Sequence, residues 1–324
     1  MTDNPPVTYL TVLRPGALSS VQDLGRPGYQ RLGIAESGAM DTYSLVQANR
    51  LLGNPDGVAV LEMTLVGPKL RFEREGVFAL TGSDLSAQLD DETLVPGRAH
   101  RAAAGQILRF GPRRNGMRAY LAVPGGFAAP LVLGSRSTYI YAGFGGPEGR
   151  ALQKGDQLKC LADPACAAAS PEPLPGNLRL PPDGPRVLRV IMGPHEDRFT
   201  SRGLETFLNS SFRVTTESNR MGYRLQGPPI EHSNGPIVVS EATPLGAIQV
   251  PGQGHPVLLL RERGTTGGYT KIACIVSADI DTICQVPPGG ELTFKTVGLE
   301  QAQQAERDRW RALDAWRPPL KRGV

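Results

Sequence analysis

A chain of 324 residues, 40% hydrophobic and 20% charged, is long enough for two domains that each bury a core, and its balance excludes a disordered or membrane-embedded chain. Its net charge of +4, from 35 basic and 31 acidic residues, is small and dispersed, which argues against the clustered basic face that nucleic acid requires.

The start, "MTDNPPVTYL", has no basic segment leading into an apolar one, so no secretory signal is read and a cytoplasmic location is expected. Next comes "VQDLGRPGYQRLGIAESGAMD", a long loop punctuated by Gly25, Gly28, Gly33 and Gly38 that carries Gln22, Asp23 and Arg26. Loops of this length in compact domains are often functional. A structural loop in which Asp23 pairs with Arg26 fits the same residues.

The following segment predicts a helix. Asp41 is placed to cap it, Leu45, Ala48 and Leu52 share one face, Gly53 sits where a C′ glycine belongs, and Pro55 blocks continuation. Elsewhere 39 glycines and 29 prolines bound short apolar runs, among them "RVLRVIMG", "GPIVVSE", "GAIQVPG", "HPVLLLRE" and "KIACIVSA". That pattern predicts a mainly β chain of sandwich or barrel type with few helices, and none of these runs is long enough to span a bilayer. "GQILRF" from Gly105, "GDQLKC" from Gly155 and "GELTFK" from Gly290 each read as a turn feeding a strand. The stretch rich in alanine and proline over 166–186 reads as a linker, giving domains at 1–165 and 187–324. A surface helix is expected from Leu299 to Trp316, followed by a frayed tail, "PPLKRGV".

Familiar chemistries are missing from the sequence. "GTTGGYTK" ends in Lys271-Ile272, which fails the phosphate-loop pattern, and "GFGGPEG" lacks dinucleotide-binding spacing. There is no HExxH and no GxSxG. The histidines (His100, His195, His232, His255) are scattered, and Cys160, Cys166, Cys274 and Cys284 form no CxxC, so reduced thiols and no metal site are expected. No lysine sits in an Ala-Met-Lys-Met context, so no covalent biotin is expected on this chain.

Two blocks carry candidate site residues. Read as a strand, "NRMGYRLQ" places Asn219, Met221, Tyr223 and Leu225 on one face, and Arg220, Gly222, Arg224 and Gln226 on the other. Two guanidinium forks flanking a glycine would form a slot for a planar anion. Ion pairs with Glu217, Glu231 or Glu241 on a solvated edge explain the same arginines. Further on, turns between strands offer Gln249, Gln253, Thr265, Thr266, Tyr269 and Lys271. Thr265 to Gly268 would present successive backbone N–H groups to an oxyanion if the glycines adopt a nest, and an ordinary polar hairpin turn accounts for them equally.

Taken together, "VQDLGRPGYQRLGIAESGAMD…ANRLLGN", "SNRMGYRLQG", "GAIQVPGQGHPVLLL" and "TTGGYTKIA" resemble the biotin-dependent carboxyltransferase family, which includes the 5-oxoprolinase C-subunit and allophanate hydrolase subunit 2-like proteins. The likeness covers about residues 8–297. It implies two cyclophilin-like β-barrel domains. It also implies a component of an ATP-dependent 5-oxoprolinase that cleaves 5-oxo-L-proline to L-glutamate with its sister B- and A-subunits, the ATP site not being located in this chain. The resemblance further implies that Asn219 and Tyr223 lie at the substrate, with Arg220 or Arg224 near its anionic group. Lys271 and the Thr265–Gly268 turn would then stabilise negative charge on oxygen, while Gln249 and Gln253 orient the amide. Carboxyl transfer to urea or a related amide, or non-catalytic regulation of a sister subunit, are the alternative functions it carries.

Overall fold

The computed structural model describes residues 6–165, 167–316, 318 and 321–322. Cys166, the first five residues and part of the tail therefore lie outside the described residues. The chain divides into two compact units. One comprises 1–26, 37–182 and 313–324, the other 27–36 and 183–312.

In the first unit the early strands are β1 (Val7–Arg14), β2 (Leu18–Gln22), β3 (Val60–Thr64), β4 (Lys69–Phe72) and β5 (Gly76–Asp84). After them come β6 (Gln88–Leu89), β7 (Glu92–Thr93), β8 (Arg98–Ala102), β9 (Ile107–Arg109), β10 (Asn115–Ala122), β11 (Gln157–Cys160) and β12 (Ala168–Ala169). One sheet runs β11-β1-β4-β9-β6-β7 and a second runs β2-β3-β10-β5-β8. Side chains from both, including Tyr9, Leu10, Phe72, Phe78 and Leu121, bury themselves in one core. Tyr9 meets Phe72 edge-on at 5.2 Å, and Phe72 meets Phe78 at 5.0 Å.

Helix α1 (Thr42–Leu51) starts and stops where its residues demand. The Asp41 carboxylate accepts from the Ser44 N–H at 2.9 Å, and Gly53 follows the helix at φ 64°. Leu45, Ala48 and Leu52 are buried as expected, but so are Gln47 and Asn49, because α1 lies against β5 and β10 rather than at the surface. The segment expected to be a linker buries part of its length. Leu174 and Leu178 are buried, and the Leu178 carbonyl accepts from Gln47 Nε2 at 2.7 Å.

The second unit contains β13 (Arg186–Met192), β14 (Phe212–Val214), β15 (Gly222–Gln226), β16 (Ile237–Ala242), β17 (Ala247–Gln249), β18 (Val257–Leu259), β19 (Thr266–Tyr269), β20 (Lys271–Ile275) and β21 (Glu291–Thr296). Seven of these close into a barrel, β13-β20-β17-β18-β15-β14-β21, completed by the parallel pairing of β13 with β21. Leu188, Val190, Tyr223, Leu258 and Leu292 are all fully buried, as side chains filling a small barrel must be. Helix α2 (Ser201–Asn209) stacks Phe207 on Phe294 of β21 at 4.5 Å. Helix α3 (Ser277–Cys284) is tied to β13 by an Asp279–Arg189 ion pair. The remaining strands, β16 and β19, form a separate two-stranded ribbon.

Helix α4 (Leu299–Ala315) is largely exposed, as expected. The tail differs from the frayed end expected of it: Lys321–Arg322 forms β22 and pairs antiparallel with β12. Cys160, Cys274 and Cys284 are free thiols, and among the described residues no helix is long and apolar enough to cross a membrane.

Candidate active site

The register of β17 against β20 places Gln249 directly opposite Lys271, with an irregularity in the pairing between Ile248 and Gln249. Directly opposed residues on antiparallel strands project from the same face. The ribbon supplies the rest, because Glu241 of β16 pairs with Gly267 of β19. Lys271 is buried, and its Nζ donates to Glu241 Oε1 at 2.5 Å. The same carboxylate oxygen lies 3.4 Å from His195 Nε2, while His195 Nδ1 accepts the Lys271 backbone N–H at 3.1 Å.

Hydrogen bonding to Lys271, assisted by its charge and by His195, holds the Glu241 carboxyl below the usual carboxylate range. Its side chain stays 45% exposed while that of Lys271 is 3% exposed, so the cation is sealed and its partner is half in water.

Gln249 is 7% exposed, and its Nε2 has no hydrogen-bond partner among the described residues. Gly267 makes room for that amide, since a Cβ there would come 2.6 Å from Gln249 Nε2. This close approach, rather than an oxyanion nest, is what Gly267 serves. Neither Gly267 nor Gly268 has positive φ, and both lie in the extended β19. Thr266 and Tyr269 are exposed on the same ribbon, and the Thr265 carbonyl accepts from the Thr243 N–H at 3.2 Å.

The two arginines do not share a slot. Strand β15 begins only at Gly222, because Asn219 closes a turn in which its Oδ1 accepts from the N–H groups of Met221 at 2.8 Å and Gly222 at 3.4 Å. Period-two alternation therefore cannot be extended back to Arg220. Within the strand it holds: Tyr223 and Leu225 point inward, Arg224 and Gln226 outward. Arg220 is buried against Glu262, with Nε 2.7 Å from Oε1. Arg224 is exposed, 3.6 Å from the exposed Glu217. Tyr223 is fully buried on the inward face of β15, its hydroxyl 3.4 Å from the Cys284 carbonyl. Asn219 is exposed, and Gln253 lines a separate hollow of about 570 Å³ with Pro229, His232 and Pro236.

The start of the glycine-rich loop, which belongs to the first unit, directs its polar groups mostly at residues 132–144. Asp23 accepts from the Ser135 and Ser137 hydroxyls at 2.6 and 2.5 Å and from the Gly25 and Arg136 N–H groups. Arg26 donates to the Val132 and Ser137 carbonyls and lies 5.0 Å over the Phe144 ring. Sequence reasoning misses Glu241 and His195 as site residues. It offers Glu241 only as a partner for arginine, and His195 stands 76 residues from the N–H it accepts.

The family model for the carboxyltransferase domain, subdomains A and B, matches residues 32–296. The 5-oxoprolinase C-subunit of Escherichia coli (strain K12) is 38% identical over 95% of this chain and 98% of its own length. Urea amidolyase of Lachancea kluyveri is 34% identical over 94% of this chain, which spans only 18% of that protein. The crystal structure of the K. lactis urea amidolyase matches with a TM-score of 0.89 and 33% identity, over 97% of this chain and 20% of that one.

Proposed function

The chain belongs to the family of carboxyltransferase domains with subdomains A and B, and from this we propose that it serves as the C-type component of a 5-oxoprolinase. The observation that carries the reading is the match to the E. coli 5-oxoprolinase C-subunit across 98% of that protein's length. The chain works with partner subunits to open 5-oxo-L-proline to L-glutamate, drawing on ATP as co-substrate. This sequence has neither the phosphate-loop pattern nor dinucleotide-binding spacing.

The chemistry breaks the ring C–N bond of an unreactive lactam. ATP would transfer its γ-phosphoryl group to the carbonyl oxygen and leave as ADP. Water then adds its hydroxyl to the carbonyl carbon, the ring nitrogen leaves as an amine after taking up protons, and a second water releases inorganic phosphate. Negative charge grows on the carbonyl oxygen along the way, and preorganised donors at that oxygen lower the barrier most. Lys271 Nζ supplies a fixed cation there. Gln249 Nε2, a buried donor with no protein partner among the described residues, supplies a second N–H at the same oxygen. Glu241 keeps Lys271 oriented, and burial of Lys271 on a barrel strand keeps the cation from relaxing into water.

Carboxyl transfer to an amide nitrogen is the second reading, favoured by the TM-score of 0.89 to the K. lactis urea amidolyase. It needs a biotin carrier supplied by another polypeptide or segment, since this sequence has no such motif.

The test is glutamate release and ATP hydrolysis from 5-oxoproline, with this chain and its partner subunits together and with each left out in turn. Glutamate should appear only when this chain is present. An assembled complex that stays silent with 5-oxoproline, or that releases glutamate without this chain, overturns the reading.

A further inference from the structure

His195 follows β13 and leads into a short helical turn, Glu196–Arg198, so its backbone is anchored on the barrel side of the site. Its side chain is 16% exposed. The Lys271 backbone N–H carries a single proton and can only donate, so His195 Nδ1, 3.1 Å away, must be the acceptor. The proton of the neutral ring is then confined to Nε2. That nitrogen lies 3.4 Å from Glu241 Oε1, the oxygen that also takes the Lys271 ammonium. The contacts close a circuit from the Lys271 main chain through His195 and Glu241 to Lys271 Nζ.

The circuit matters because of where Glu241 sits. Its strand belongs to a two-stranded ribbon outside the closed barrel, with Ile237 and Val239 of the same strand 70% and 90% exposed. The carboxylate that orients Lys271 thus stands on an outlying element, whereas Lys271 stands on a barrel strand. Among the groups around that carboxylate, His195 is the one bonded to the barrel strand's own backbone.

We propose that His195, in its Nε2–H tautomer, is a positioning residue that registers Glu241 of the ribbon against Lys271 of the barrel. It acts on the reaction only through Glu241 and Lys271, and the proposal rests on the reading that Lys271 faces the reacting oxygen.

Two measurements test it. The first needs no variant to assemble: two-bond ¹H–¹⁵N correlation spectra of the full chain labelled at its four histidines, at neutral pH. The signals assigned to His195, by their loss in His195→Gln, should show an Nε2-protonated ring, and Glu241→Gln should shift them. A ring protonated at Nδ1, or His195 signals indifferent to Glu241→Gln, overturns the proposal.

The second is glutamate release by the complex with its partner subunits. His195→Ala should lower kcat by about 10- to 100-fold, the usual effect of losing a group that orients a site residue, with little change in KM. His195→Gln, whose amide N–H reaches toward Glu241, should recover most of the loss. His195→Asn, whose oxygen can accept the Lys271 N–H but whose shorter amide does not carry an N–H to Glu241, should remain slow. If His195→Asn turns over as fast as the wild type while Lys271→Ala is dead, the positioning role fails and the site reading stands. If Lys271→Ala is itself fully active, the site reading fails and takes the proposal with it.

Discussion

Two ion pairs in the second unit look alike on paper and differ in one respect. Arg220–Glu262 has side-chain exposures of 3% and 0%, whereas Lys271–Glu241 has 3% and 45%. In the first pair both charges are out of water and bonded to each other, so neither is presented to a ligand in solvent. In the second the cation is sealed, but its carboxylate remains half-solvated and can yield. Availability depends on what the partner can do once the contact is broken, more than on how deeply the cation lies.

The sharpest way to break this comparison is to remove the carboxylate from each pair. Glu262→Ala takes the Glu262 carboxylate away from the buried Arg220 guanidinium, and breaking a buried pair by removing one partner costs about 3–5 kcal/mol. Urea denaturation should show a midpoint lowered accordingly. If Glu262→Ala is tolerated to within about 1 kcal/mol, the pair lies near enough to water to belong with the exposed class.

Lys271→Ala should divide the other way. The half-exposed Glu241 can rehydrate, so the fold should survive, while the cation at the reacting oxygen is gone. Loss of one such donor typically lowers kcat by about 10² to 10³. The comparison collapses if stability and glutamate release fall together, because Lys271 would then be structural in the manner of Arg220.

Gly267→Ala probes the second donor. The new Cβ would sit 2.6 Å from Gln249 Nε2 and 3.1 Å from Thr243 Cγ2. The amide is the far end of a flexible side chain, so it can swing aside at modest cost to stability. Displacing a positioned group by about 1 Å can cost up to about 10²-fold in rate. The effect should show in glutamate release by the complex, and Gln249→Ala should add nothing to it if Gly267 acts only by seating that amide.

Acid weakens the half-open pair. The Glu241 carboxyl titrates lower in the folded chain than the ordinary value of 4.5, mainly through its bond to Lys271. Its stabilisation is therefore complete above the unfolded carboxylate pKa and disappears as pH falls through the lower, folded value. Wild type and Glu241→Gln should differ in stability at neutral pH, the difference shrinking as pH falls below the unfolded carboxylate pKa and vanishing below the lower, folded one. Solvent screening of so exposed a carboxylate keeps the difference small.

These contrasts mark what local sequence can and cannot convey. The barrel strands are legible because "RVLRVIMG", "HPVLLLRE" and "KIACIVSA" carry their apolar runs between breakers, and Asp41 and Gly53 announce the ends of α1. The phase of "SNRMGYRLQG" is legible only from Gly222 onward. An asparagine that caps a turn and one that occupies a strand read alike, so alternation puts Arg220 on the wrong face. Its partner Glu262 is 42 residues away. The glycines of "TTGGY" are ambiguous for a related reason: glycine answers equally to positive φ and to close packing, and the Gln249 amide that decides between them arrives from another strand. Glu241 and His195 meet Lys271 only once β16, β19 and β20 are folded, so neither has a local signature.

Arg224 gives the smallest expected effect and the last test of the distinction. Its side chain is 59% exposed and its contact with the 76%-exposed Glu217 is long, at 3.6 Å. Exposed pairs of this kind contribute about 0–1 kcal/mol, so Arg224→Ala should leave the denaturation midpoint almost where it was. That near-silence makes its activity informative. If glutamate release by the complex is also unchanged, Arg224 is a solvated surface charge and β15 contributes only its inward face, Tyr223 and Leu225. If release falls while stability holds, the guanidinium must act on something outside this chain, a substrate carboxylate or a partner subunit. Titrating the partner subunits against the variant separates the two, since a weakened partner contact is restored by excess partner and a lost substrate contact is not.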